Sequence, residues 1–241
     1  MRVGLAALNI GLTLWLRETL PHRPPGLAPG ALRAAVRRAL NPLDLWARLR
    51  RHDDGSGRLR RLVLTQVAFT LCIGNYFYFV PYLSTGPLRM NARDISVFFM
   101  YFGVLSIAIN YGFYTFLADR INQHKAIAFL GGLGIPLFVG YGVVGTSWVG
   151  VYAIATIDCL TISLVGGLLE GLLARLTTDT TRGEVFGLNQ AIQGLASVAT
   201  TLVYGALSLL DVRLPWAWFA GCLGVVVWLA TRKERLSPVS A

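Results

Sequence analysis

Apolar residues fall into six long runs separated by short polar, mostly basic, segments: 62–83, 95–117, 126–145, 148–173, 184–207 and 215–230. A hydrocarbon core of about 30 Å is crossed by about 20 helical residues. Only helices and closed barrels satisfy every backbone group in lipid, so the runs predict six transmembrane α-helices. The last run is short and draws on its flanks. A seventh run, 3–16, is shorter than a span. The residues after it, Arg17-Glu18-Thr19-Leu20-Pro21, offer no small-residue cleavage site, so it reads as a partial transmembrane helix rather than a leader peptide.

Composition supports the bilayer as solvent: the chain is 54% hydrophobic and 14% charged, with mean hydropathy +0.56. The expected organisation is a partial helix over 1–16, a basic loop over 17–61, a six-helix bundle over 62–231 and a tail over 232–241. The fold class is all-α and polytopic.

The formal net charge of +10 invites a nucleic-acid reading, but its distribution argues against one. Eighteen of the 22 Lys and Arg lie in the segments on one side of the predicted spans, and Arg89, Arg93 and Arg213 on the other. The positive-inside rule places the basic loop and the carboxyl terminus in the cytoplasm. The bias of 20 Arg to 2 Lys suits a GC-rich genome and a bacterial source, for which the expected location is the inner cell membrane. Within the basic loop, Asn41-Pro42 fits an N-cap and first helical position. Leu43, Leu45, Trp46 and Leu49 then face a membrane surface, or the segment is a solvated loop; the sequence leaves both open.

Each polar residue inside the spans is costly in lipid and faces another helix or a water-filled path. Gly103, Ser106, Asn110 and Tyr114 share a face of the second span. Gln190, Gln193, Ser197, Thr201 and Tyr204 form a stripe on the fifth. Asn75, Tyr78 and Tyr82 share a face of the first, with Gln66 opposite. Such stripes suit a solute pathway, or interhelical hydrogen bonds. Asp158 lies ten residues past Trp148, about 15 Å down its helix. Water-free surroundings penalise a charged carboxylate there, which makes Asp158 the leading residue for holding a proton or a cation. Glu170 is expected to pair with Arg175 or another base. Gly167 and Gly171 suit close helix contact, and Gly132-Leu133-Gly134 reads as packing.

Cys72, Cys159 and Cys222 sit in apolar runs without a CxxC partner, which points to no disulfide, zinc or redox role. No HExxH or GxSxG is present, and the three histidines lie in the basic segments. The sequence implies no cofactor, no metal and no enzyme activity.

The loop Leu117-Ala118-Asp119-Arg120-Ile121-Asn122-Gln123-His124-Lys125 resembles the G-x-L-A-D-R-x-G-R-K motif of the major facilitator superfamily. Leu117 to Arg120 match, while Thr115 and Asn122 replace glycines. Leu16–Pro21 resembles the end of that family's sixth helix. Thr181-Arg182-Gly183-Glu184-Val185-Phe186-Gly187 resembles the approach to its eleventh. The resemblance implies that the chain is the carboxyl-terminal half of a twelve-helix carrier, closest to drug:proton antiporters of the tetracycline-resistance type. It implies two six-helix halves rocking about a midplane site. Asp158, Asn75, Tyr78, Asn110, Gln190 and Gln193 would line the substrate and proton pathway, and Asp119, Arg120 and Arg182 the cytoplasmic gate. The partners expected are a small-molecule substrate, the lipid bilayer, and a second six-helix half or a second copy. The alternative is a non-transporting membrane interaction protein or an inactive fragment.

Overall fold

The computed structural model describes residues 41–53, 55–117, 120–144 and 146–232, without the side chains of 75–77. The expected partial helix over 1–16, most of the tail over 232–241, the Asp119 carboxylate and the Asn75 side chain lie outside the described residues. Seven helices are described: α1 (Pro42–Arg51), α2 (Arg58–Thr85), α3 (Ala92–Phe116), α4 (Gln123–Val143), α5 (Trp148–Arg175), α6 (Arg182–Leu210) and α7 (Leu214–Thr231). Helices α2 to α7 are each long and apolar enough to cross a membrane, and they coincide with the six predicted runs.

Helices α3 and α4 start about a turn before their apolar stretch, at a capping asparagine, and α5 also starts at a capping side chain. Asn91 accepts from the amides of Arg93 and Asp94 at 2.9 and 3.0 Å. Asn122 caps α4 through Lys125 N, and Ser147 caps α5 through Gly150 N. These caps satisfy amides that have no partner within the first turn. The turn before α2 needs glycine, since Gly55 and Gly57 hold φ of 85° and 73°.

In lipid no hydrophobic force drives helices together, so small residues and interhelical polar contacts choose the faces. Helix α2 is central: 60% of its apolar window is buried, against 11% for α3 and for α6. It packs on α7, α6 and α5. Helix α3 leans chiefly on α5, and α6 chiefly on α2. Helices α4 and α7 form the closest pair, because α4 is bare where α7 is bulky. A Cβ added at Gly134 would collide with Leu223, and one at Gly131 would meet Val227 at 2.9 Å. Gly132 faces open space, so only the second glycine of Gly132-Leu133-Gly134 has the expected packing role. Likewise, a Cβ at Gly167 would collide with the Tyr114 hydroxyl, whereas Gly171 meets nothing.

At the end opposite the basic segments, an aromatic cluster closes the bundle. Trp216 stacks on Tyr141 at 4.6 Å and meets Tyr82 and Phe79 edge-on at 4.9 and 5.2 Å. Tyr82 donates its hydroxyl to the Tyr141 carbonyl at 2.6 Å.

Helix α1 forms where Asn41-Pro42 predicts a start, with Asn41 accepting from Leu43 N at 3.1 Å. Part of its apolar face is used within the protein. Leu45 and Leu49, one turn apart, are buried, and the helix packs on α6. Leu43, about 200° around from Leu45, is exposed. His52 at its end lies 3.3 Å from Glu184 in the first turn of α6. Leu49→Asp is expected to release α1. Tryptic cleavage at Arg48, Arg50 and Arg51 should then rise roughly tenfold, as a local opening made about 1.4 kcal/mol easier requires. Unchanged cleavage would show that the α1 contact contributes nothing to its protection.

Candidate functional site

The polar residues of the spans gather in two seams and around one buried acid. The first seam joins α2 and α6. The Thr70 hydroxyl lies 2.9 Å from the Gln66 carbonyl and 3.2 Å from the Gln193 side-chain amide. A hydroxyl has one proton. It is directed to the Gln66 carbonyl and shared with Gln193 Oε1. Further along both helices, Thr200 donates to the Leu71 carbonyl at 2.8 Å. It sits against Gly74, where an added Cβ would meet the Thr200 side chain at 2.8 Å. The contacts advance together, so α2 and α6 run parallel. One turn back from the Thr70–Gln193 contact, Gln66 and Asn189 stand at matching positions. Both are buried, and among the described residues neither amide has a hydrogen-bond partner.

The second seam joins α3 and α5. Asn110 donates to the Ser106 carbonyl at 2.8 Å, and the Ser106 and Ser163 hydroxyls are 2.9 Å apart. Thr156 donates to the Tyr152 carbonyl, so Tyr101 must donate in its 2.7 Å contact with Thr156.

Asp158 belongs to neither seam. It is fully buried in α5, and the Tyr141 hydroxyl of α4 donates to its Oδ2 at 3.3 Å. Among the described residues its Oδ1 has no partner. Thr161 donates to the Asp158 carbonyl at 2.8 Å, fixing the local turn. Tyr78 is also buried; its hydroxyl donates to the Val212 carbonyl, and its ring packs on Trp216 and Tyr204.

The residues expected to line a pathway therefore separate. Gln193 is in the α2–α6 seam, Asn110 in the α3–α5 seam, Asp158 beside Tyr141, and Tyr78 in the aromatic cluster. Gln190 and Thr201 lie on the exposed face of α6. Sequence reasoning passed over Thr70, Asn189, Tyr141 and Ser163. Asn189, Gln193 and Thr200 follow helical spacing of four and seven, so the buried stripe was available. It is the neighbour of the exposed stripe through Gln190 and Thr201, and a register choice separates them.

At the basic end, Arg120 is exposed in the turn after α3. Arg182 opens α6 and pairs with Asp179 at 3.2 Å. Glu170 forms no ion pair among the described residues, against expectation: five positions place Arg175 about 140° around the helix from it.

Six apolar helices joined by short segments, with polar residues held in interhelical seams, define a polytopic α-helical integral membrane protein. The profile of the Major Facilitator Superfamily matches residues 3–201. The chain belongs to that superfamily of membrane transporters, which is not an enzyme class. No curated protein matches it.

Proposed function

We propose that the chain is the carboxyl-terminal half of a proton-coupled secondary carrier for a small molecule, an antiporter of the drug:proton type. Its spans are helices seven to twelve of the twelve-helix plan, and its basic end and carboxyl terminus face the cytoplasm of an inner membrane. The observation that carries this is the open face of α6. Gln190 and Thr201 are exposed there, in a helix long and apolar enough to span. Polar side chains at membrane depth are costly against lipid and fit a wall facing a water-filled path. A second six-helix half, or another copy of this chain, supplies the opposite wall. Gln193, Asn110, Asn75 and Tyr78 contribute to the path and its support, and Asp158 carries the proton. Asp119, Arg120 and Arg182 form the cytoplasmic gate, where a carboxylate near a helix carboxyl end opposes the dipole and needs a basic partner.

The test is reconstitution into vesicles with an imposed pH gradient, with this chain alone and together with a six-helix amino-terminal half of the same superfamily. Uptake of fluorescent amphipathic cations should require a dimer or the paired halves. A stable monomer that neither pairs nor moves solute would remove the proposal in favour of a non-transporting membrane protein.

A further inference from the structure

At the basic end, α2, α4, α5 and α7 border an open cavity of about 700 Å³. Arg58, Arg61, His124, Lys125, Arg175 and Arg232 line it, and no acid does among the described residues. Leucines of α2, α5 and α7, Leu62, Leu172 and Leu229 among them, make its inner wall apolar.

Several bases outside the cavity pair with acids. Arg60, on the same turn of α2 as Arg61, pairs with Asp53 at 2.8 Å. Arg48 pairs with Asp44, and Arg182 with Asp179. Among the described residues, Arg61, Lys125, Arg175 and Arg232 join no ion pair. The Arg232 guanidinium lies over the Trp228 ring at 4.4 Å, and helix ends account for two of the others. Arg61 donates to the Arg232 carbonyl at the end of α7, at 3.2 Å, and Arg175 lies in the last turn of α5, where the dipole favours a cation.

The other helix ends aggravate the charge. The first turns of α2 and α4 contain no acid. The first turn of α4 carries Lys125 against the positive end of its own dipole. Two helix amino termini and a cluster of bases thus converge on one concavity with an apolar interior. That arrangement is favourable for an anion that presents phosphate oxygens to the rim and apolar groups to the interior.

We propose that this cavity binds a phosphate-bearing anion, either the headgroup of an anionic phospholipid or a soluble organophosphate. The apolar interior and the bilayer setting give the lipid the advantage, since basic pockets between transmembrane helices on a cytoplasmic side suit such headgroups.

The test uses the full chain purified in a neutral detergent, its melting temperature followed during titration with phosphatidylglycerol, phosphatidylcholine or glycerol 3-phosphate. Phosphatidylglycerol should raise the midpoint and phosphatidylcholine should not. Lys125→Gln/Arg175→Gln removes two of the lining bases and should need at least roughly tenfold more phosphatidylglycerol for the same shift. Lys125 is exposed, so Lys125→Gln alone preserves the fold and should weaken the response in the same direction. Arg48→Gln, outside the cavity, should respond as the wild type does. A shift with glycerol 3-phosphate at matching concentration supports the soluble source; a shift with phosphatidylglycerol alone supports the lipid. Equal responses to the two lipids, or an unchanged response in Lys125→Gln, overturn the proposal.

Discussion

Replacing Asp158 by asparagine is expected to abolish proton-driven flux in the assembled carrier while leaving expression and melting temperature close to wild type. The two side chains have the same shape. The asparagine carbonyl can take the place of Oδ2, which accepts from Tyr141 at 3.3 Å. The change in stability should therefore stay within about 1 kcal/mol. What is lost is a proton that can be bound and released. Asp158 is fully buried, so this conformation seals the group from water; on the proposed mechanism, alternating access opens the seal in another state. Asp158→Ala makes the contrast. It removes the acceptor of the Tyr141 hydroxyl and leaves a hole, at a cost of about 1–3 kcal/mol, so it should lower stability and flux together. Flux is read as solute movement in vesicles under an imposed pH gradient, beside a melting curve. Full flux in Asp158→Asn would take Asp158 out of the coupling step.

The largest stability effect is expected at Trp216. Its side chain is 1% exposed and is the hub of the aromatic cluster, in contact with rings from α2, α4 and α7. Trp216→Ala should destabilise the bundle by about 3–5 kcal/mol, because rigid neighbouring rings cannot collapse into the space. Trp216→Phe tests the origin of that loss. Among the described residues the indole N–H has no acceptor, so phenylalanine removes an unsatisfied donor while keeping most of the ring contact. Its net cost should stay below about 1.5 kcal/mol. Thermal unfolding in detergent separates the two variants. A phenylalanine variant as damaged as the alanine variant would mean that this end needs the full indole volume and that a smaller ring does not keep it closed.

The amino-acid sequence by itself determined the elements. Run length against bilayer thickness marks α2 to α7, since every backbone group in lipid must be paired within its own helix. Local caps such as Asn41 with Pro42 mark where a helix starts, and both properties belong to neighbouring residues. The loop residues Leu117 to Arg120 carried the family resemblance for the same reason.

Only the tertiary structure decided which faces meet. The spans are apolar nearly all the way round, so periodicity in the sequence barely separates a buried face from an exposed one. Small residues and scarce polar contacts break that degeneracy. Gly134 meets Leu223 while Gly132 meets nothing. Asn189 is buried while Gln190, one residue on, is exposed. Asp158 stood out as an acid at membrane depth, but its Tyr141 partner is 17 residues away on another helix. Leu45 and Leu49 gave an amphipathic α1, but that these two residues pack on α6 is decided by a neighbour in space. The charges divide in the same way. Their bias to one side of the spans is visible along the chain, while the convergence of Arg61, Lys125, Arg175 and Arg232 on one cavity is set by how four helices pack.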